Sequence, residues 1–180
     1  MPRIIAFAGS NSSSSINQIW VRYLSGSISS IDVELIQLTD FDIPMYSIDL
    51  ENKSGFPLGV QLLLGKLKEA DGLLISVNEH NGTVSAFFKN ILDWLSRLDR
   101  NFLAGKKILL TSTSPGARGA SSALAFAKAV LPRFGAEIVE SFSLPSFQSN
   151  FDREALKMTN ESQHLGIMEV LASFEQALSH

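Results

Sequence analysis

Cysteine is absent from this 180-residue chain. Disulfides, thiolate metal sites and a cysteine nucleophile are excluded together, and a cysteine-free chain fits a reducing compartment. Histidine is scarce. The 3 residues, His80, His164 and His180, are scattered and offer no metal-ligand spacing. Basic charge is not in excess: the formal net charge is −3 and the pI about 5.6. No stripe of Lys and Arg marks a nucleic-acid partner. Long apolar runs are missing too. The N-terminal run from Ile4 to Ala8 is too short for a signal-peptide core or a bilayer span, and no other stretch approaches one. The expectation is a cytoplasmic protein with no membrane and no nucleic-acid partner. No repeat or long linker divides the chain, so residues 1–180 are expected to form a single domain.

What is present alternates. Arg3 to Ala8 is a compact apolar run with two adjacent isoleucines and reads as a buried strand. Ser15 to Leu24 carries Ile16, Ile19, Trp20, Tyr23 and Leu24 at helical spacing. Ile31 to Leu38 is a second strand. Thr39 to Pro57 is a longer connection containing Pro44, Gly55 and Pro57, and Val60 to Glu69 is a helix. Gly72 to Val77 and Lys107 to Thr111 read as the third and fourth strands, separated by an amphipathic helix over Val84 to Leu98. An Ala-rich helix, Ser121 to Leu131, is stopped by Pro132; Glu137 to Phe142 is the fifth strand, and Asp152 to Leu178 is mostly helical.

Strands alternating with helices make βαβ units, whose parallel sheet is covered on both faces. The expected class is α/β: a flavodoxin-like three-layer α/β/α sandwich with a five-stranded parallel sheet in the order 2-1-3-4-5. A plain dinucleotide fold fits less well. The first turn lacks G-x-G-x-x-G, and no sixth strand has a candidate.

In such a sheet, ligands bind beyond the carboxyl ends of the strands. Three loops fall there: Gly9 to Asn17, Asn78 to Thr83, and Ser112 to Ser121. All are rich in Gly, Ser, Thr and Asn. The first opens a helix, whose bare N–H groups and dipole favour a phosphate. Gly9, Ser10, Ser12, Ser15, Ile16 and Asn17 are its candidate contacts, with Gly9 expected to permit a sharp turn. A single Ser acting as N-cap is the plainer reading, but this loop holds five.

The second loop reads Asn78-Glu79-His80-Asn81-Gly82-Thr83 and runs into Lys89-Asn90-Ile91-Leu92-Asp93-Trp94. This stretch resembles the NAD(P)H-dependent FMN reductases, which typically read P-E-Y-N-G-S-x-P-G-x-L-K-N-A-I-D-W here. Glu79, Asn81, Gly82, Lys89, Asn90, Asp93 and Trp94 match at the same spacing. Gly9, Ser10, Ser15 and Asn17 match the family's G-S-x-R-x-x-S-x-N first loop. The family's Arg falls on Ser12, its Pro on Asn78 and its Tyr on His80.

The resemblance covers roughly residues 3 to 145. It implies FMN with its phosphate in the first loop. Asn78, Glu79, His80, Asn81 and Gly82 would then line the ring. Thr113, Ser114, Gly116, Arg118 and Gly119 of the third loop would lie on the ring's other edge. It further implies NADPH or NADH as hydride donor, a small-molecule acceptor such as a flavin or quinone, and a homodimer or homotetramer.

Hydride transfer between nicotinamide and flavin needs no general base or nucleophile, and no catalytic residue is assigned. His80 is either an acid–base group or a solvated loop residue. Arg118 is either an anion contact or a solvated arginine. The Val84–Leu98 helix, apolar on more than one stripe, is either a subunit interface or central to the core. His164 and His180 are expected at the surface. An electron carrier, or a module with weakened FMN binding, stands as the alternative function.

Overall fold

A computed structural model describes residues 2–179, so the expectation for His180 lies outside the described residues. The strands β1 (Arg3–Ala8), β2 (Asp32–Leu35), β3 (Gly72–Val77), β4 (Lys107–Thr113) and β5 (Glu137–Leu144) form one parallel sheet. Their order is β2-β1-β3-β4-β5. The three-layer α/β/α expectation and its strand order are both met.

Side chains along β1 alternate between two cores, as a period of two requires. Ile5 and Phe7 join Leu73 and Ile75 on one face of the sheet; Ile4, Ala6 and Ala8 join Leu74 and Leu109 on the other. Helices α3 (Leu58–Glu69), α4 (Ala86–Leu98) and α5 (Ser121–Val130) cover the first face. Helices α1 (Ile16–Ser27) and α6 (Glu161–Leu178) cover the second, burying Trp20, Val21, Leu24, Ile167, Leu171 and Phe174. No helix among the described residues is long and apolar enough to cross a membrane.

The apolar excess of α4 is covered within the chain. Phe88, Ile91, Leu92, Trp94 and Leu95 are all buried. The longer connection before α3, read over Thr39 to Pro57, contains α2 (Ile48–Ser54) and folds over α4. The Asn90 Nδ2 and Trp94 Nε1 groups both donate to the Pro44 carbonyl, at 2.9 and 2.8 Å. Asn90 Oδ1 accepts from the Tyr46 N–H at 2.7 Å. Tyr46 and Phe56 then meet the Trp94 ring edge-on, at 5.0 and 6.3 Å. Arg97 grips Glu51 with two donors, at 2.9 and 3.0 Å. The K-N-x-x-D-W stretch is thus a clamp on this segment, with Lys89 and Asp93 paired at 2.6 Å on its outer side.

The C-terminal expectation needs correction. Residues 151–158 form a short antiparallel hairpin, not helix, pairing Phe151 with Met158 and Asp152 with Lys157. Local polar chemistry overrides helical propensity there. Asp152 Oδ1 accepts from the Glu154 and Ala155 N–H groups, each at 2.9 Å, and Leu156 takes a positive φ of 47°. Helix α6 starts only where Asn160 caps it, accepting from the Gln163 N–H at 3.1 Å. His164 is also corrected: it is half-buried, with Nδ1 3.1 Å from the Tyr23 hydroxyl.

Asn90→Ala leaves the half-buried Tyr46 N–H without a partner and is expected to cost about 1–3 kcal/mol in a urea unfolding series. The Glu51 carboxyl is held below its ordinary value by the Arg97 guanidinium, burial opposing and the Tyr46 hydroxyl assisting. A depressed carboxyl stabilises the fold above its unfolded pKa, and that contribution disappears as pH falls through the folded value. Wild type is therefore expected to lose melting temperature between pH 5 and 3 faster than Glu51→Gln, and parallel acid limbs would refute the assignment.

Candidate functional site

The three loops predicted to share an edge do meet. They line a cavity of about 280 Å³ with Ser12, Ser14, Ser15, Ile16 and Asn17 from the first, Asn78, Glu79 and His80 from the second, and Thr113, Ser114 and Pro115 from the third.

Asn17 is the joint between them. It is buried, and its Oδ1 accepts from the Ser76 hydroxyl at 2.7 Å and from the Thr113 N–H at 3.1 Å, while its Nδ2 donates to the Thr113 carbonyl at 3.1 Å. The start of α1 is thereby tied to the ends of β3 and β4. Gly9 serves closeness more than turning. Its φ is not positive, but a Cβ there would lie 2.9 Å from the Phe88 ring. Its N–H donates to the Ser76 carbonyl at 2.9 Å, and its carbonyl accepts from the Ser85 hydroxyl at 2.6 Å. Ser85 also caps α4 through the Phe88 N–H.

The first loop leaves donors bare. Ser15 caps α1 by accepting from the Gln18 N–H at 3.2 Å. The N–H groups of Ile16 and Asn17, in the opening turn, have no carbonyl within the helix to bond. Ser12 and Ser14 place their hydroxyls 3.2 Å apart at the same rim. Ser10 faces elsewhere: it lines a separate cavity of about 210 Å³, to which Ser12 is common.

In the second loop, Asn81 and Gly82 both have positive φ, 52° and 81°, and close a two-residue hairpin that pairs Glu79 with Val84. An Asn-Gly turn meets that requirement. Glu79 points away from ligand chemistry. Its Oε2 accepts from the Ser122 and Ala123 N–H groups, at 3.0 and 3.2 Å. Helix α5 has no side-chain cap of its own, because Ala120 stands at that position, so Glu79 supplies the anion. Asn78 is the exception. It is 9% exposed and lines the cavity, and its Oδ1 has no hydrogen-bond partner. A buried acceptor left bare costs free energy unless a ligand or water meets it.

His80 is exposed and common to two cavities. The second, about 480 Å³, is walled by Val84, Ala86 and Phe126 with Asn81 and Lys89.

The third loop is mostly frame. The Gly116 carbonyl accepts from the Gly119 and Ser146 N–H groups, and the Gly119 carbonyl from the Ser112 and Ser143 hydroxyls. Arg118 is exposed and lines none of these three cavities. Among the described residues, no group of His, Asp and Glu is placed to hold a metal ion.

Residues 2–149 match the family model described as NADPH-dependent FMN reductase. The chain belongs to the NADPH-dependent FMN reductase family. Among its relatives, a quinone reductase of Escherichia coli is 36% identical over 118 residues, 65% of this chain and 62% of that protein. This chain therefore matches less than two thirds of that relative's length. The NADH:(hydroxy)cinnamate reductase subunit CrdA of Vibrio ruber is 27% identical over 94% of this chain and 84% of that one. Among solved structures, the flavoenzyme NAD(P)H:(acceptor) oxidoreductase FerB of Paracoccus denitrificans superimposes with a TM-score of 0.81 at 22% identity. That match covers 99% of this chain and 98% of FerB, and it supports the fold.

In this member of the NADPH-dependent FMN reductase family, Glu79 belongs to the frame. Glu79→Ala is expected to cost about 1 kcal/mol in unfolding free energy, with Glu79→Gln losing less because the amide oxygen still accepts. Equal stability of all three proteins in guanidinium would show that the cap contributes nothing.

Proposed function

We propose that the chain is an FMN-dependent oxidoreductase. In this reading it works as one flavodoxin-like domain, takes reducing equivalents from NADH or NADPH and delivers them to a small acceptor such as a flavin or quinone. The carrying observation is the cavity at which all three loops and the open N-terminus of α1 meet, lined also by Asn78, whose buried amide oxygen has no hydrogen-bond partner. Family membership accords with it.

The residues present fit the cofactor. The N–H groups of Ile16 and Asn17 and the hydroxyls of Ser12 and Ser14 would hold its phosphate. Asn78 Oδ1 would accept from a donor on the ligand. The chemistry that a bound FMN supplies is hydride acceptance from a nicotinamide and onward delivery of the electrons. The protein's part is to place ligands and exclude water. Its only carboxylate at the 280 Å³ cavity, Glu79, is engaged by α5. His80 is the titratable side chain shared with the 480 Å³ cavity, which has the apolar wall that a planar donor or acceptor requires. A homodimer or homotetramer would cover Leu58 and Leu62, one turn apart on α3 and 69% and 56% exposed.

The test is titration with FMN followed by intrinsic-fluorescence quenching, then NAD(P)H oxidation with a quinone added. Wild type is expected to retain flavin and to turn over. Asn78→Leu is expected to weaken FMN binding about tenfold with the protein still folded, since the amide oxygen it removes has no protein partner and the amide nitrogen has only a 3.4 Å contact with His80 Nε2. A folded wild-type chain that takes up no FMN would sink the proposal, and flavin binding without NAD(P)H oxidation would leave an electron carrier.

A further inference from the structure

The 280 Å³ cavity has no Lys or Arg among its lining residues. A phosphate monoester carries roughly −1.5 to −2 charge at neutral pH, and Ser12 stands where a cation would be useful. A second cavity, about 200 Å³, adjoins it and shares Ile16 as a wall. The rest of that wall is Phe147, Gln148, Phe151 and Arg153.

Arg153 is exposed, and its guanidinium forms no ion pair or hydrogen bond among the described residues. Its neighbour Asp152 does not compete for it, because that carboxylate is bonded to the Glu154 and Ala155 N–H groups. The hairpin that carries Arg153 is fixed to α1. Phe151 is buried, stacks on Phe147 at 5.0 Å and meets the edge of Tyr23 at 5.2 Å. The helix that presents the bare N–H groups thus also anchors the hairpin that carries the arginine, and Ile16 lines both cavities. Asn78, whose buried Oδ1 has no hydrogen-bond partner, lines the 280 Å³ cavity. Arg153 lies past the residues that match the family model, which end at 149.

We infer that Arg153 supplies the cationic contact to the FMN phosphate that the first loop lacks. The inference rests on the FMN reading above. The hairpin, where the sequence led us to expect helix, would then be the element that completes the cradle. A guanidinium suits the task because its planar fork matches a phosphate's oxygens.

The experiment compares FMN with riboflavin, which lacks the phosphate, in fluorescence-quench titrations of wild type, Arg153→Ala and Arg153→Lys at low salt. Arg153→Ala is expected to raise the FMN Kd about tenfold, to leave the riboflavin Kd and the melting temperature unchanged, and to be partly rescued by Arg153→Lys. The gap should narrow as salt screens the contact. An unchanged FMN Kd in Arg153→Ala overturns the assignment alone. So does an equal loss for both flavins, which would mean a packing effect. A raised KM for NADPH with FMN affinity intact overturns it as well, assigning Arg153 to the nicotinamide cofactor's phosphates. Wild type that binds neither flavin overturns the assignment together with the reading beneath it.

Discussion

Three hydrogen bonds to the Asn17 side chain hold the candidate site together. A primary amide both accepts and donates, and Asn17 uses both ends: Oδ1 for Ser76 and Thr113, Nδ2 for the Thr113 carbonyl. The ends of β3 and β4 and the start of α1 are thereby locked at one distance. The position of the first loop over the sheet edge follows from that lock, and with it the shape of the cavity. A carboxylate could accept these bonds but not donate, and an aliphatic residue would strand three buried polar groups.

Of the helices that open at this edge, α1 and α5 have N-termini that the fold treats differently. At α5, the Glu79 carboxylate already occupies the opening turn. At α1, the cap is a neutral hydroxyl and the next two N–H groups have no carbonyl to bond within the helix. One N-terminus is filled from within and the other is open. Electrostatics therefore selects α1 for an outside anion, even though no cation stands in its own loop.

The clamp on the Pro44 carbonyl gives the same kind of lesson for α4. Its apolar surface exceeds a single stripe, which by itself fits a subunit interface or a core helix equally. The choice is made by the 41–56 segment, whose Tyr46 and Phe56 rings cover Trp94. That arrangement depends on Asn90 and Trp94 meeting one carbonyl across 46 and 50 residues of chain. No local pattern reveals it.

By itself the sequence determined the strand set, its parallel order and the edge where three polar loops converge. Burial of β1, β3 and β4 forces near-continuous apolar runs, and period and alternation are properties of neighbouring residues. Tertiary structure alone decided which polar groups at that edge are spent and which are free. Gly9 is excluded from growing by Phe88, Glu79 is consumed by α5, and Asn78 is left bare. It also turned residues 151–158 into a hairpin seated on Trp20 and Tyr23. Each of these outcomes is set by contacts between residues distant in sequence, and hydrogen-bond satisfaction is a property of the folded neighbourhood rather than of the residue.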